Sequence, residues 1–93
     1  MVKHIVLWKL REDVDRQEAH TVLRDAFAVL ADSVQGMESW SMSLSFDGYD
    51  IALETVFQDR EALDRYIVQP EHVEYKKLPE QYRTDRVLCD YEF

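Results

Sequence analysis

Residues 38–46 read Glu-Ser-Trp-Ser-Met-Ser-Leu-Ser-Phe, so that from Ser39 onward serines alternate with large apolar side chains. A period of two is typical of a β-strand that buries one of its faces. The dipeptide Asp47-Gly48 follows, which favours a tight hairpin turn, and a second apolar run extends over residues 50–57. The sequence therefore predicts a β-hairpin in the middle of the chain.

Four further elements surround this hairpin. They are a strand over residues 2–10, a helix of about 17 residues that follows Asp15, a helix over Arg60–Val68 and a strand over Arg86–Phe93. Asp15 with Glu18 resembles a capping box, and Asp59 is a suitable N-cap for the second helix. This order predicts an α+β, ferredoxin-like βαββαβ fold, with a four-stranded antiparallel sheet and both helices on one face.

Both faces of the predicted sheet carry apolar side chains, although the helices cover only one of them. In the first strand, one face has Val2, His4, Val6 and Trp8, and the other has Ile5 and Leu7. An uncovered apolar face indicates a binding surface, and the simplest cover for a chain of 93 residues is a second copy. We expect residues 1–93 to form a single domain and to assemble as a homodimer whose two sheets face each other.

The face that each strand turns to the helices decides where a pocket forms. If Trp40, Met42, Leu44 and Phe46 pack under the helices, the serines face the space between the two sheets, where small hydroxyls leave room for a ligand. The alternative is an edge strand with a solvated face. If Ile5 and Leu7 pack under the helices, the face with His4 points into the same space.

Residues 66–75 read Tyr-Ile-Val-Gln-Pro-Glu-His-Val-Glu-Tyr. The ring of Pro70 clashes with the carbonyl group of Tyr66 and disfavours a helical conformation at Gln69. We expect the helix to end near Gln69 and a new one to begin at Pro70. The resulting bend can bring Tyr66 and His72 to one pocket as a candidate acid/base pair.

Each of these polar rings has a structural alternative. His72 is a general base, a neutral imidazole that contacts a ligand, or a helix-start residue bonded to nearby backbone. Tyr66 is otherwise a core tyrosine with its hydroxyl group at the rim. His4 is otherwise a buried histidine whose hydrogen bonds are satisfied within the protein.

Composition narrows the class of partner and the location. The net charge of −8 argues against nucleic acids and anionic membranes, since both select a basic face. Residues 1–10 resemble neither a signal peptide nor a membrane span. Cys89 is the only cysteine, so we expect a buried, inert thiol and a reducing, cytoplasmic location.

The three histidines, His4, His20 and His72, lack the close spacing of metal ligands, and we expect His20 to be solvated. The chain also has no Gly-rich phosphate loop, nucleophile elbow or Cys-based redox motif. We therefore predict no metal site and no cofactor.

Several segments resemble the stress-responsive A/B barrel family, also called the dimeric alpha-beta barrel (Dabb) domain. They are Val2–Leu7, Gly48–Leu53, Phe57–Leu63, Tyr66–Val73 and Asp90-Tyr91. The resemblance covers the whole chain and implies a ferredoxin-like fold and a homodimer that forms an alpha-beta barrel. It implies little about chemistry, because most members have no established activity and plant members are linked to stress responses.

One branch of the family, the olivetolic acid cyclase-like members, closes a linear polyketide without a cofactor. The resemblance carries the general-base histidine of that branch onto His72, its tyrosine onto Tyr66 and its strand-1 pocket histidine onto His4. The chain departs from the branch at Gln69, where the cyclase has a histidine, and in a shorter connection between strands 2 and 3.

The sequence thus predicts a Dabb-family homodimer with a small-molecule pocket between sheet and helices. Its role is non-catalytic binding of a small apolar or aromatic ligand, or a stress-associated function. The alternative is a cofactor-free polyketide cyclase or isomerase with His72 as general base together with Tyr66. The predicted pocket residues are His4, Val6, Trp8, Ser41 and Ser43.

Overall fold

A computed structural model describes residues 1–93 and shows the predicted order of elements. They are β1 (Val2–Leu10), α1 (Arg16–Ala31), β2 (Met37–Leu44), β3 (Ile51–Phe57), α2 (Arg60–Val68), α3 (Pro70–Tyr75), a 3-10 turn (Pro79–Gln81) and β4 (Arg83–Glu92). The strands form one sheet in the order β2-β3-β1-β4, and every neighbouring pair is antiparallel. The ferredoxin-like βαββαβ prediction is confirmed.

The helices begin where side chains can bond their free N–H groups. The Asp15 carboxylate accepts the N–H of Glu18 at 2.9 Å and starts α1, and the Asp59 carboxylate accepts the N–H of Ala62 at 2.8 Å and starts α2. Gln69 ends α2 with an extended backbone (φ −61°, ψ 130°), and α3 follows at Pro70. The predicted helix starts and the predicted break are therefore confirmed.

One face of the sheet packs under the helices and forms the core. In β1 the residues on this face are Val2, His4, Val6, Trp8 and Leu10, all of them buried. Ile5 and Leu7 point the other way and are only half-buried. The condition under which His4 would face a second sheet is therefore not met, because it is the His4 face that the helices cover.

The opposite face, which we call the open face, has no helix over it. Its central row places Leu7 between Ala52 and Val87, and the next row pairs Ile5 with Cys89. Cys89 is exposed, so the prediction of a buried thiol is wrong for the single chain. Its strand is at the sheet edge, and its side chain lies on the uncovered face.

The hairpin is wider than predicted. β2 ends at Leu44 and β3 begins at Ile51, and the N–H of Ser45 donates to the carbonyl of Asp50 at 2.8 Å. Phe46 lies in this loop and is fully exposed, so the condition that it packs under the helices with Trp40, Met42 and Leu44 is met by those three residues but not by Phe46. An alternating pattern cannot show where the ladder of backbone hydrogen bonds ends.

His20 is also placed differently from its prediction. Its Nε2 is 2.9 Å from the carbonyl oxygen of Met42, so the ring bridges α1 and β2 rather than lying in solvent. No helix in the structure has the length and apolar character needed to cross a membrane.

Candidate functional site

A cavity of about 180 Å³ lies between the sheet and the helices. Val6, Trp8 and Leu53 form its apolar floor, and all three are buried. Its polar lining comes from His4, Tyr66, His72, Lys76, Glu80, Arg83 and Arg86. A wider, more open groove of about 720 Å³ between α1 and α3 contains none of the predicted site residues. The predicted site residues that line a cavity therefore all lie at the smaller one.

The break at Pro70 brings Tyr66 and His72 together. Gln69 donates its N–H to the Tyr66 carbonyl at 3.1 Å, and His72 donates its N–H to the Gln69 carbonyl at 3.0 Å. The two rings stack with centroids 4.0 Å apart and an interplanar angle of 25°. They meet face to face and make no hydrogen bond with each other, so the pair is a stacked platform rather than a proton relay.

His72 is held as a neutral imidazole. Burial lowers its pKa from 6.5 to about 4, and the positive charge of Lys76 acts in the same direction. Its Nδ1 lies 3.3 Å from the carbonyl oxygen of Ile67, an acceptor, so Nδ1 carries the proton. Nε2 therefore keeps a lone pair at neutral pH and can accept a hydrogen bond from a ligand.

Tyr66 is a hydrogen-bond donor at neutral pH. Its side chain is almost fully buried, and burial raises the pKa of the phenol well above its ordinary value of 10.0, against a smaller opposing effect from Arg86. Phe57 packs against the Tyr66 ring with centroids 5.1 Å apart. The cavity therefore offers a fixed donor from Tyr66 next to an acceptor from His72.

His4 reaches the same cavity from the central strand β1. Its Nδ1 donates to the Oδ1 of Asp90, which lies opposite it on β4. The Thr55 hydroxyl donates to the His4 carbonyl at 3.0 Å, and the His4 ring meets the Tyr66 ring edge-on at 6.3 Å. Asp90 therefore fixes the orientation of an imidazole that is 4% exposed.

The structure brings five predicted site residues to one cavity and leaves two out. His4, Val6, Trp8, Tyr66 and His72 line it. Ser41 and Ser43 are exposed and lie on the open face, in register with Glu54 and Ala52 of β3. The cavity therefore has no serine in its lining, because alternate residues of β2 point to opposite faces of the sheet.

The sequence reasoning missed Asp90 and the cationic residues of the lining. Pairing of the first and last strands would have placed Asp90 opposite His4, but their register is not visible in the sequence. Arg83 was outside the strand predicted to begin at Arg86. No group of three or more His, Cys, Asp or Glu side chains is arranged to hold a metal ion.

Comparison with known proteins identifies the family. The family model described as Stress responsive A/B Barrel Domain, Dabb, matches residues 2–93. The chain belongs to the Dabb family. This Dabb chain is 31% identical over 98 residues to the uncharacterized protein SCO4036 of Streptomyces coelicolor, and the match covers all of both chains.

Solved structures share the fold of this Dabb chain. A crystal structure from Bacteroides fragilis, described as a dimeric protein of unknown function with a ferredoxin-like fold, has a TM-score of 0.86 and 30% identity, over 99% of this chain and 95% of that one. A hydroxynitrile lyase from Passiflora edulis has a TM-score of 0.83 and 17% identity, over 97% and 90% of the two chains. At 17% identity the second likeness shows the fold alone.

Proposed function

We propose that residues 1–93 act as one Dabb domain, which pairs with a second copy and binds a single-ring small molecule between sheet and helices. The observation that carries this proposal is the cavity of about 180 Å³ where Tyr66, His72 and His4 meet. An engineered apolar cavity of about 150 Å³ is enough to bind benzene. An apolar floor with a few convergent polar groups is typical of ligand pockets.

The properties of His72 favour binding over chemistry. A general base works best when its pKa is near the operating pH, whereas burial lowers the pKa of His72 to about 4. An imidazole of such low basicity accepts a hydrogen bond but removes a proton from carbon poorly. The stacking of Tyr66 on His72 also leaves the phenol beside the imidazole rather than bonded to it.

The open face supports pairing of two chains. It is lined centrally by Leu7, Ala52 and Val87, and Val87 is 41% exposed in the single chain. Covering such a face with a second copy removes apolar area from water. The related structure from B. fragilis, described as dimeric, supports the same arrangement.

Binding is tested by titrating the protein with a panel of charged and neutral single-ring fragments, followed by NMR of the backbone amides. We expect saturable shifts that centre on His4, Tyr66 and His72. His72→Gln should weaken the best fragment by about tenfold, through the loss of one buried hydrogen bond. His20→Gln is the matched control and should bind like the wild type, because the His20 ring bonds the carbonyl of Met42 and does not line the cavity. If no fragment shifts the cavity residues, the proposed function is wrong.

A cofactor-free proton-transfer enzyme is the second candidate, and the contact of Asp90 with His4 favours it. A carboxylate that orients a buried imidazole is a feature of acid/base sites. In this candidate His72 Nε2 takes a proton from a carbon next to a carbonyl group, and Tyr66 donates a hydrogen bond to the carbonyl oxygen. His4, held by Asp90, lies edge-on to the Tyr66 ring and keeps that ring in place.

Deuterium uptake separates the two candidates. Acetophenone and related aryl ketones are incubated with the protein in D₂O, and loss of the α-proton signal is followed by NMR. Exchange that is faster than in buffer, and that His72→Gln removes, would support the enzyme. Exchange at the buffer rate for every ketone that binds would leave binding as the function.

A further inference from the structure

We infer that the ligand of this cavity carries a carboxylate group, which the guanidinium groups of Arg83 and Arg86 hold while the ring of the ligand lies toward Tyr66 and His72. The inference rests on the proposed function, since it specifies what the same cavity binds. It is carried by the distribution of charge, by an unpaired buried nitrogen and by an irregularity in β4.

Unpaired positive charge is concentrated at the cavity. The chain has 11 Lys and Arg against 19 Asp and Glu, a balance that would supply every cation with a carboxylate. Most Lys and Arg residues do have a carboxylate within 4.0 Å. The exceptions are Arg65 and three residues of the cavity lining, Lys76, Arg83 and Arg86. A cleft lined by unpaired charge of one sign attracts ligands of the opposite sign.

The Nε atom of Arg83 has no acceptor. It is the one buried side-chain nitrogen or oxygen in the chain that lacks a hydrogen-bond partner. Leaving a buried donor unsatisfied costs free energy, so native proteins rarely retain one without a use. A guanidinium group matches a carboxylate with two parallel hydrogen bonds, and Nε belongs to one of its donor pairs. A bound carboxylate would supply the missing acceptor.

A β-bulge turns Arg83 toward the cavity. Arg86 pairs with Trp8 and Asp85 with Lys9, but Leu10 then pairs with Arg83 instead of Thr84. In a regular ladder Leu10 would pair with Thr84, and Arg83 would lie opposite Arg11 with its side chain on the open face. The extra residue in β4 therefore places both arginines on the face with Trp8, and bulges commonly redirect a side chain in this way next to a site.

The nearby acids form no ion pair with these arginines. The pKa of Asp85 is lowered chiefly by its bond from the Tyr49 hydroxyl, and the charge of Arg83 adds a smaller effect in the same direction. Asp90 accepts from His4, and Asp85 accepts from the Tyr49 hydroxyl and from the N–H of Arg86. Glu80 is the single acid in the cavity lining, and its exposed side chain makes no ion pair with any Lys or Arg. Three cationic side chains and one acidic side chain therefore line the cavity. Glu80 competes only weakly with a bound carboxylate for the arginines.

The test compares benzoate with benzamide, two rings of matched size that differ in charge. Their dissociation constants are measured by NMR titration for the wild type, Arg83→Gln, Arg86→Gln and Glu80→Gln. Arg65→Gln is the matched control, because Arg65 is equally unpaired but does not line the cavity. Circular dichroism and thermal melting check that each variant is folded.

We expect the wild type to bind benzoate about tenfold more tightly than benzamide, as for a charge-assisted pair of hydrogen bonds. Arg83→Gln and Arg86→Gln should each remove most of this preference, because they weaken benzoate binding by a larger factor than benzamide binding. Arg65→Gln should keep it, and Glu80→Gln should increase it by about twofold, through the loss of one exposed like charge.

The possible results separate the inference from the proposed function. Equal affinity for the two fragments in the wild type overturns the inference and leaves the binding function standing. Absence of binding by either fragment overturns both. A preference that survives in Arg86→Gln overturns the assignment to the arginines, even if Arg83→Gln fails to fold.

Discussion

At the residue scale, the break between α2 and α3 at Pro70 determines which residues surround His72. Pro70 has no N–H to continue α2 and starts a separate short helix, so His72 turns back under the ring of Tyr66. The break could be predicted from the position of proline in the sequence. The stacking could not, because it depends on where α3 packs against the sheet.

The low pKa of His72 makes stability depend on pH. The unfolded chain binds the proton at the ordinary pKa of 6.5, and the folded chain only at about 4, so protonation favours unfolding. Stability should be full above pH 6.5 and fall as the pH decreases toward 4. We expect His72 to account for a loss of roughly 2 kcal/mol over this window, less than the full shift implies because the cavity admits some solvent.

Urea unfolding at pH 7 and pH 4.5 measures this effect in the wild type and in His72→Gln. The variant should lose less stability between the two pH values, whatever its stability at pH 7. An NMR titration of the His72 ring gives its pKa directly as a control. An equal loss in both proteins would show that other groups cause the acid sensitivity.

Gly36, which precedes β2, fills a position that no other residue can occupy without strain. Its φ is +84°, and an added Cβ would lie 2.7 Å from the Cβ of Ala62, which is buried on α2. We expect Gly36→Ala to reduce the free energy of unfolding by about 3 kcal/mol, from left-handed backbone strain together with overpacking.

Gly48→Ala is the matched control for this substitution. Gly48 has almost the same φ, +85°, but no atom lies within 4 Å of an added Cβ. It should cost only about 1 kcal/mol, the strain of a left-handed alanine. Equal losses in urea unfolding would show that the contact with Ala62 contributes nothing.

At the element scale, α2 depends on its first residue. The Asp59 carboxylate bonds the N–H of Ala62 at 2.8 Å, and the helix it starts carries Tyr66 into the cavity. Asp59→Ala should lower stability by about 1 kcal/mol in thermal or urea unfolding, through the loss of this cap. Asp47→Ala, at an exposed loop position, is the control and should change stability little. A greater loss from Asp47→Ala would contradict this reading of the cap.

β4 shows the limit of what pattern reading can predict for one element. Its apolar run predicts a strand that begins at Arg86, whereas the strand begins at Arg83 and contains a bulge. A bulge is a property of a pair of strands. Here Lys9 pairs with Asp85 and Leu10 with Arg83, so Thr84 has no partner on β1. The direction of the Arg83 side chain therefore cannot be predicted from the sequence pattern of β4, because it depends on how β4 pairs with β1.

At the scale of the whole molecule, the two apolar faces of the sheet have different covers. The helices bury the face with His4, whereas no helix covers the open face, which has Leu7 at its centre and is the proposed interface of the dimer. Leu7→Glu should convert a dimer into a monomer, because it places a charge in the apolar centre of the proposed interface. Val29→Glu, on an exposed position of α1, is the control and should remain dimeric.

Light scattering coupled to size-exclusion chromatography measures the assembly of each protein. The thiol of Cys89, which is on the open face, gives a second measurement: it should react slowly with a thiol reagent in the wild type and rapidly in Leu7→Glu. A wild type that is monomeric at micromolar concentration, with a reactive Cys89, would contradict the proposed dimer. The cytoplasmic location stays a prediction.

The sequence by itself determined the order of elements, the caps at Asp15 and Asp59 and the break at Pro70. These features depend on neighbours within a few residues, where local spacing and backbone chemistry decide the conformation. Only the tertiary structure decided which face of β1 is buried, since Ile5 and Leu7 are as apolar as Val2 and Val6 on the other face. The contact of His4 with Asp90, the removal of Ser41 and Ser43 from the cavity and the turn of Arg83 toward it follow from strand register. Register is fixed by pairing between residues far apart in the chain, and hydrophobic periodicity along one strand does not contain it.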